Sequence, residues 1–575
     1  MKNHEIFFKR IIEVAILLII LRLFYLQIYK GDFYQDLAQR NYMKSVILPA
    51  PRGIIYDRNG VILAENKIKY SLYLIPPYKY EREKVKRLSN VIKMKDKDIE
   101  KIYNKISPFY PAVLLKNNLD IKEILLLEEN REDLPPFSIN IEFERYYPFG
   151  SLASHVIGYM GEVSKEELED EESDYSLGEK SGKYGVEAFY EKYLRGKKGF
   201  RGILLHASNT ENITVGQKDP VPGESLILSL DLNIQKVAED ALGEERGCVI
   251  VSRADTGEVL SMASHPAFDP NKFITGFTKE EWNNLINDIN KPLNNKAISA
   301  LYPPGSIFKL IVALSALENK KISPNDTFYC PGEFYLGGYS YKCWKKGGHR
   351  RINFVDGIAQ SCNVVFYNVG LRVGEDQIFK YAKDFMLDSK VGIDLPGEVK
   401  GFIPSKEWKV KTFKEPWYPG DTVNLSIGQG FVLVTPLEIH AMMSMLATEG
   451  ILVKPHVLKG IVTENGIEEV RPEIIKEVKI NKSIWEILKE GMKKVVEEGT
   501  GIAVKFPGVE IFGKTGTAEN PHGESHAWFS SFFRVNDVPY VVTVFVEHGK
   551  SGGGRAALIA RKIIEYMIKG GKNIE

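Results

Sequence analysis

Residues 11–29 form an almost unbroken apolar run, IIEVAILLIILRLFYLQIY, which constrains this chain more than any other feature. A helix needs about 20 mostly apolar residues to cross the hydrocarbon core of a bilayer, and the run has that length. Glu13 lies near one end, whereas Arg22 lies deeper and must reach an interface or pair with a partner helix. The alternative is a buried core helix, but only a short polar segment precedes the run, so nothing N-terminal would bury it.

Basic residues in MKNHEIFFKR precede the apolar run, and no A-x-A-type cleavage site follows it closely. Positive charge before a span favours a cytoplasmic N-terminus, and the missing cleavage signal favours an uncleaved anchor over a removed signal peptide. We therefore predict a cytoplasmic tail at 1–10, a single transmembrane anchor at 11–29, and the remaining residues outside the plasma (inner) membrane.

The rest of the 575-residue chain has a globular composition, with 44% hydrophobic and 26% charged residues. A formal net charge of +1 gives no indication of nucleic-acid binding. Four cysteines in so long a chain exclude a disulfide scaffold. The segment KDPVPGESLILSLDLNIQ, from Lys218, has the pattern of a linker before a strand and a helix, so we predict one domain at 30–230 and a second at 231–575.

The second predicted domain begins and ends with strands. GCVIVSRADTGEVLSMAS, from Gly247, predicts a hairpin, and IFGKTGTAE, HAWFSSFFRV and VPYVVTVFVEHG predict three strands near the C-terminus. Helical patterns lie between them and after them, notably from Ser306, Ile484 and Arg555. The simplest fold is α+β, with an antiparallel sheet built from both ends of the domain and helices on its faces.

Ser306 and Lys309 stand three residues apart in LYPPGSIFKL, residues 301–310. Two prolines and a glycine end the preceding segment, so we expect Ser306 at the N-terminus of a helix. Free backbone N–H groups and the positive end of the helix dipole favour a developing oxyanion there. Lys309 lies one turn away on the same face and could take the hydroxyl proton if its pKa were depressed. The alternative is an N-cap serine with an incidental lysine.

Two further motifs follow in chain order. Ser361 and Asn363 flank a cysteine in AQSCNVVFYNVG, the expected start of a helix, and the K-T-G-T run at 514–517 lies within an expected strand. Each motif alone has a structural explanation, as a helix cap or as a turn at a strand edge. Together, a serine with a lysine, a second serine with an amide, and a basic strand with a glycine form a known catalytic set.

The ordered set resembles the class B penicillin-binding proteins, the acyl-transferring relatives of the serine β-lactamases. APRGIIYDRNGVILAEN, YPFGSLASHVIGYMG and GVEAFYEKYLRGKKG resemble the pedestal of that family, and SHPAFDPN, KPLNNKAISALYPPGSIFK and SIGQG resemble its catalytic domain. EPWYPGDTVNLSIGQG is most similar to the elongation-specific, PBP2-type subgroup. The resemblance implies an α+β multidomain chain with an N-terminal transmembrane helix, an elongated mixed α/β pedestal of the dimerisation type, and a transpeptidase domain with a β-lactamase-like sheet between helices.

The resemblance also implies catalytic roles. Ser306 would attack the D-alanyl-D-alanine end of a peptidoglycan stem peptide and release D-alanine, while Lys309 takes the hydroxyl proton. Ser361 would relay the proton to the leaving amine, and Asn363 would hold a substrate amide. Lys514 would share its positive field with Ser361 and help to keep Lys309 neutral. No cofactor is implied for this chemistry, and β-lactams would acylate Ser306 with slow release.

The strand of the third motif is implied to bind substrate. Thr515 would hydrogen-bond the terminal carboxylate, and Gly516 would let the strand approach closely. The backbone N–H groups of Thr517 and Ser306 would form the oxyanion hole. A second stem peptide would then attack the acyl-enzyme through its amine and form a crosslink.

Cys330, Cys343, His349 and Cys362 form a separate cluster in sequence, C-x12-C-x5-H-x12-C. Three thiolates and one imidazole suit a tetrahedral structural zinc, and the pattern resembles a metal site in some elongation-type family members. Two alternatives are a Cys330–Cys343 disulfide and three unlinked buried thiols. Cys248 begins an apolar strand and is expected in the core.

The resemblance implies a cell-elongation transpeptidase whose glycan strands come from a separate RodA-type glycosyltransferase, since no glycosyltransferase domain is visible. Arg22 and the pedestal are the places where that contact is expected. The rival functions are a division-specific transpeptidase, a β-lactam hydrolase and a penicillin-binding sensor. A hydrolase needs a water route to the acyl-enzyme, and a sensor usually needs several membrane spans.

Overall fold

The computed structural model of the chain describes residues 2–31, 43–74, 81–95, 97–99, 113–170, 174–176, 178–204, 213–521 and 523–570. The chain divides into two compact units: a first unit of residues 1–52, 66–144 and 195–223, and a second unit of residues 53–65, 145–194 and 224–575. The units are interleaved along the chain, and the single boundary expected between residues 230 and 231 stays a prediction.

The helices, numbered in chain order, are α1 (Lys2–Phe24), α2 (Arg82–Ile92), α3 (Ile121–Glu129), α4 (Ser154–Ile157), α5 (Lys165–Glu169), α6 (Gly185–Phe189), α7 (Glu191–Leu194), α8 (Leu232–Leu242), α9 (Asn271–Thr275), α10 (Lys279–Asn287), α11 (Lys296–Ser299), α12 (Lys309–Glu318), α13 (Phe354–Ala359), α14 (Asn363–Val373), α15 (Glu375–Asp384), α16 (Lys406–Phe413), α17 (Pro419–Leu425), α18 (Pro436–Ala447), α19 (Lys482–Glu497) and α20 (Ala557–Ile568).

The strands are β1 (Met43–Leu48), β2 (Ile55–Tyr56), β3 (Ile62–Leu74), β4 (Val113–Lys116), β5 (Phe137–Tyr146), β6 (Met160–Glu162), β7 (Lys180–Gly182), β8 (Gly199–Leu204), β9 (Ile213–Lys218), β10 (Ser225–Leu228), β11 (Gly247–Arg253), β12 (Val259–His265), β13 (Thr327–Cys330), β14 (Glu333–Leu336), β15 (Tyr339–Lys342), β16 (Arg350–Asn353), β17 (Ile451–Val453), β18 (Leu458–Thr463), β19 (Gly466–Glu469), β20 (Ile474–Glu477), β21 (Ile511–Ala518), β22 (His526–Val535) and β23 (Val538–Val546).

The first unit begins with the expected apolar helix. Residues Ile6–Tyr29 are long and apolar enough to cross a membrane, and none of this span is buried in the protein. It includes the predicted anchor at 11–29. The rest of the unit contains the antiparallel sheet β1-β8-β9 and a core in which α2 packs with the last part of β3 through Leu72, Leu74, Val85 and Leu88.

The second unit is built on a five-stranded antiparallel sheet in the order β12-β11-β23-β22-β21. The N-terminal hairpin β11–β12 lies beside the C-terminal strands, with Gly247 opposite Val546. This confirms the predicted sheet assembled from both ends of the domain. All but the last residue of β11 is buried, because helices cover both faces of the sheet.

The two faces of this sheet carry separate hydrophobic cores. Val249 and Val251 pack in the core that contains α8 and α20, whereas Cys248 and Ile250 point to the opposite side and share the core that contains α12, α14 and α18. The buried Cys248 thus takes the core position expected for it. Helix α12 lies inside this second core, and its residues from Lys309 to Leu317 are buried.

A buried ion pair connects sequence-distant parts of the second unit. Arg145 donates to a Glu187 carboxylate oxygen at 2.6 Å and to the Gly53 carbonyl at 2.7 Å, and the Tyr147 hydroxyl donates to the same carboxylate at 3.2 Å. A buried charge needs this degree of pairing, because an unpaired one costs several kcal/mol. Gly53, Tyr147 and Glu187 each lie in one of the three sequence stretches that resemble the family's pedestal. The network therefore gives a physical reason why these stretches carry those residues.

Candidate active site

Ser306 lies in a tight turn directly before α12. Residues Gly305–Phe308 form a 3-10 turn, and the α-helix begins only at Lys309. The expected helical run from Ser306 is therefore present, but its first turn is tighter than an α-helix. Gly305 has φ +54°, a left-handed conformation that suits glycine, and its N–H donates to the Gly428 carbonyl at 3.0 Å.

The Lys309 amine is fully buried at the start of α12. It donates to the Ser361 carbonyl at 2.8 Å and to Asn363 Oδ1 at 2.7 Å, and Ser361 Oγ lies at 3.3 Å. A neutral amine has two N–H groups and one lone pair, so the two short bonds leave the lone pair available to a hydroxyl.

Ser361 has an unusual backbone conformation. Its φ is +52°, in the left-handed region, where a non-glycine residue is uncommon and is often found at functional sites. The next residue, Cys362, is the N-cap of α14, and Asn363 is the first residue of that helix. The second predicted motif therefore starts a helix, as expected, and the side chains of Ser361 and Asn363 both reach Lys309.

Lys514 approaches Ser361 from the sheet. It lies in β21, is fully buried, and donates to Ser361 Oγ at 2.9 Å and to the Thr515 carbonyl at 3.0 Å. The Ser361 hydroxyl therefore lies between two buried amines. In the described part of the chain, no acidic side chain hydrogen-bonds either amine, so no carboxylate holds either one in its charged form.

Burial lowers the pKa of both amines. It lowers the pKa of Lys309 to about 8, because the protonated form loses its hydration, while negative charge on the Cys362 and Cys343 sulfurs opposes the shift. Burial and the nearby charge of Lys309 lower the pKa of Lys514 well below its ordinary value. Two ammonium groups this close repel each other, so a charge on one amine lowers the pKa of the other.

The K-T-G strand packs directly against the turn that carries Ser306. A Cβ on Gly516 would lie 2.9 Å from the Pro304 carbonyl oxygen, and a Cβ on Gly305 would lie 2.6 Å from the Thr517 carbonyl oxygen. Only glycine permits this close contact at either position. The third motif is thus in a strand, as predicted, and its glycine is required by the approach of two backbones.

Thr515 and Thr517 are held at the edge of β21. Thr515 Oγ1 lies 2.6 Å from Thr500 Oγ1, and Thr517 Oγ1 accepts a hydrogen bond from the Gly552 N–H at 3.3 Å. Thr515 is buried, whereas Thr517 is exposed at the rim. The structure therefore brings all eight predicted catalytic and substrate-binding residues into one region around Ser306.

Sequence reasoning did not assign the residues that fix the Ser306 turn. Trp528 lies opposite Gly516 in β22 and donates its indole N–H to the Pro303 carbonyl at 3.0 Å. Tyr302 donates its hydroxyl to Glu547 at 2.5 Å. The tryptophan in the apolar strand HAWFSSFF was the available signal, because a buried indole N–H needs an acceptor.

The four predicted metal ligands also converge. The candidate ligand atoms of Cys330, Cys343, His349 and Cys362 all lie within 4.8 Å of one another, and the three cysteines are buried and unpaired. His349 Nδ1 lies 3.7 Å from Cys330 Sγ and 3.6 Å from Cys343 Sγ. A tetrahedral zinc would place a sulfur and a nitrogen ligand about 3.6 Å apart, so the donor set and its spacing fit that ion.

The domain has a sheet covered by helices, a serine–lysine turn against one edge strand, and a second serine between two buried amines. These features define the class of serine acyltransferases that react with penicillin. Residues 247–565 match the family described as the penicillin-binding protein transpeptidase domain, and residues 47–228 match the penicillin-binding protein dimerisation domain. The chain belongs to the penicillin-binding protein family, in its class B, PBP2-type branch.

Two similar relatives are both called peptidoglycan D,D-transpeptidase MrdA. The protein from Acinetobacter baumannii is 33% identical over 97% of this chain and 86% of its own length. The protein from Escherichia coli K12 is 32% identical over 97% of this chain and 92% of its own length.

Solved structures agree with this assignment. A complex of PBP2 with MreC from Helicobacter pylori matches with a TM-score of 0.81 and 31% identity, covering 92% of this chain and 99% of the other. A structure described as showing coordination of polymerization and crosslinking by a peptidoglycan synthase complex matches with a TM-score of 0.75 and 30% identity, covering 99% of this chain and 98% of the other.

Proposed function

We propose that this chain is a peptidoglycan D,D-transpeptidase that crosslinks stem peptides during cell elongation. The observation that carries the proposal is the Ser361 hydroxyl held between Lys309 and Lys514, beside the turn that presents Ser306. This arrangement provides a nucleophile, a buried amine that can be neutral, and a hydroxyl that can move a proton between them. Family membership and the named relatives support the same reaction.

The first half-reaction forms an acyl-enzyme. Ser306 Oγ attacks the carbonyl carbon of the D-alanyl-D-alanine bond, and its proton passes to the lone pair of Lys309. Backbone N–H groups of Ser306 and Thr517 stabilise the oxyanion, a contribution that is about 3 kcal/mol for one preorganised donor. Ser361 passes its proton to the leaving nitrogen and takes one back from Lys309, whose amine is then neutral again. The peptide C–N bond breaks, and D-alanine leaves as a neutral amine.

The second half-reaction and substrate binding use the rest of the site. The amine of another stem peptide attacks the ester carbonyl, loses a proton to the same relay, and expels Ser306 Oγ with its proton restored. Asn363 binds a substrate backbone amide, and Thr515 and Lys514 receive the terminal carboxylate. Gly516 has no side chain, so the substrate peptide can lie close along the strand.

A direct test is the reaction of the purified full chain with glycan strands that carry D-alanyl-D-alanine stem peptides. We expect release of D-alanine together with crosslinked peptides in equal amounts, and slow turnover of a chromogenic β-lactam. Fast hydrolysis of the β-lactam would instead favour a hydrolase, and a stable adduct without any crosslinking would favour a sensor.

The pH dependence of acylation follows from the lowered pKa of Lys309. Only the neutral amine can accept the Ser306 proton, so the acylation rate should rise with pH and level off above a pKa of about 8. Below pH 7 the rate should fall about tenfold per pH unit, because the neutral fraction falls by that factor. Stopped-flow measurement with a fluorescent penicillin would check this, and a rate that falls as pH rises from 6 to about 8 would contradict it.

We also propose that the Cys/His cluster holds a structural zinc. Cys330, Cys343 and Cys362 would supply thiolates and His349 its Nδ1 atom. A zinc ion there would fix loop geometry next to the second motif, because Cys362 separates Ser361 from Asn363. The chemistry of the acyl transfer does not pass through this ion.

The zinc proposal predicts about one zinc per chain by elemental analysis of the purified protein. Cys343→Ser should remove most of the metal and lower the thermal midpoint, since the site links β13, β15 and α14. Cys248→Ala is the matched control, because that buried thiol lies outside the cluster. Titration after denaturation should find four thiols; two missing thiols would support a Cys330–Cys343 disulfide instead.

We also propose where each part of the chain lies relative to the plasma membrane. Residues 1–10 lie in the cytoplasm, the anchor at 11–29 crosses the plasma membrane, and the pedestal (30–230) and transpeptidase domain (231–575) lie outside. The basic residues before the span support this orientation. A RodA-type glycosyltransferase supplies the glycan strands, and the match to a synthase structure that couples polymerization and crosslinking supports such a partner.

A further inference from the structure

Residues 329–351, here named the aromatic–basic loop, expose an unusual number of aromatic rings. Four aromatic side chains are more than half exposed: Tyr329 at 62%, Tyr335 at 67%, Tyr339 at 72% and Trp344 at 55%. Single exposed apolar residues are common on protein surfaces, but four exposed rings within one segment of 23 residues call for an explanation. The proposed transpeptidase reaction assigns no role to these rings.

The same loop is strongly basic. It contains one acidic residue, Glu333, and five basic residues, all of them exposed: Lys342, Lys345, Lys346, Arg350 and Arg351. The whole chain has a net charge of only +1, so this positive charge is local. A local excess of one sign attracts and orients a partner of the opposite sign.

The loop borders the serine–lysine site. The Lys342 carbonyl accepts hydrogen bonds from Asn363 Nδ2 at 3.1 Å and from the Tyr367 hydroxyl at 3.1 Å. The Trp344 indole N–H donates to the Gln360 carbonyl at 3.0 Å, one residue before Ser361. The Lys342–Trp344 end of the loop therefore lies next to Asn363.

The loop is anchored from its inner side, so its outer side is preorganised. In the β14–β15 hairpin, Phe334 and Tyr341 are opposite each other and both pack on the Tyr367 ring at 5.9 Å. Alternation along the strands then directs Tyr335 away from this contact. Tyr339 pairs with Leu336 at the end of the hairpin and lies on the same side as Tyr341, yet its ring is also exposed. A rigid binding surface loses little conformational entropy when a partner binds.

We propose that the aromatic–basic loop binds the peptidoglycan strand whose stem peptide enters the active site. Sugar rings present C–H faces that pack on tyrosine and tryptophan rings, while the carboxylates of stem peptides pair with the lysine and arginine side chains. The inference rests on the proposed function for the identity of the strand. It adds a binding surface outside the three catalytic motifs, with a polymerised glycan strand as its occupant.

The test uses the full chain in detergent, with Ser306 already acylated by penicillin, and measures its cosedimentation with purified peptidoglycan sacculi. The charge variant is Lys345→Glu with Lys346→Glu, and the aromatic variant is Tyr335→Ser with Tyr339→Ser. We expect binding to weaken about tenfold or more in each, while the penicillin acylation rate stays within about twofold. These variants leave the proposed metal ligands and Trp344 in place.

Phe189→Ser with Lys479→Glu is the matched control, because it removes an exposed ring and an exposed cation outside the loop. This control should bind sacculi like the wild type. Raising the salt concentration to about 0.5 M should weaken wild-type binding, since exposed charges are screened at that ionic strength. The salt measurement tests the charge contribution even if a loop variant fails to fold.

Unchanged sacculus binding in both loop variants, or salt-insensitive binding of the wild type, would overturn the proposal. So would loss of binding to anionic phosphatidylglycerol vesicles without loss of sacculus binding, which would identify a lipid surface as the occupant. Failure of the proposed function has a different signature, namely absence of a penicillin adduct or of crosslinking in the wild type, and it is measured separately.

Discussion

Ser306→Ala is expected to abolish formation of the covalent penicillin adduct. Ser306 is the hydroxyl that the turn at Gly305–Phe308 presents beside the K-T-G strand, one turn before Lys309. Removing its oxygen removes the atom that forms the ester, so acylation and crosslinking should fall by about 10⁴-fold or more. Intact mass spectrometry with a labelled penicillin would show one adduct on the wild type and none on the variant.

Ser315→Ala is the matched control for this experiment. Ser315 lies in α12, the helix that follows the Ser306 turn; it is buried, and its hydroxyl has no hydrogen-bond partner among the described residues. Losing that hydroxyl should leave acylation unchanged and cost little stability. If the adduct persisted on Ser306→Ala, another nucleophile, such as Ser361, would have to carry the reaction.

Lys309→Met should reduce the acylation rate by about 10³-fold or more, because it removes the group that accepts the Ser306 proton. Methionine is apolar and flexible, so it can fill the buried site at the start of α12 without an unpaired charge. Lys309→Arg keeps a positive charge, but a guanidinium does not deprotonate in this pH range. It should therefore be about as slow as Lys309→Met, and this comparison separates a base from a simple electrostatic role.

Lys321→Met is the control for the lysine substitution, since that side chain is exposed just beyond the other end of α12. It should acylate at the wild-type rate. Circular dichroism and thermal unfolding should show that the Lys309 variants stay folded. Rapid acylation of the arginine variant would contradict the assignment of Lys309 as the base.

The aromatic–basic loop is a proposed binding surface that the sequence motifs did not indicate. The sequence motifs account for the nucleophile, the amines and the substrate-binding strand, and the spacing of cysteines and histidine in this region indicated only a metal site. Phe334 and Tyr341 pack on Tyr367 in α14, and this contact leaves Tyr335 on the opposite face of the β14–β15 hairpin. That contact is made between residues 26 to 33 positions apart in the chain, so the local sequence does not indicate it.

Local sequence patterns determined much of this protein. The apolar run at 11–29, the β11–β12 hairpin, the terminal strands and the spacing of Ser306 and Lys309 each depend on residues close in sequence. A helical turn or a strand pair joined by a short turn is specified by neighbouring residues, through periodicity and turn-forming side chains. For that reason these features were predictable, and the residue types of the three motifs indicated acyl transfer.

Only the tertiary structure decided where the Ser361 hydroxyl lies and how far the pKa values of Lys309 and Lys514 are lowered. Ser361 is separated from Lys309 by 52 positions and from Lys514 by 153, so their contacts depend on how α12, α14 and β21 pack together. The depressed pKa values come from the burial that this packing creates, and burial is a property of the whole core rather than of any short segment. The 3-10 turn at Ser306 has the same origin, because contacts of Gly305 with Gly428 and Thr517 fix a backbone that the local sequence alone would let continue as an α-helix.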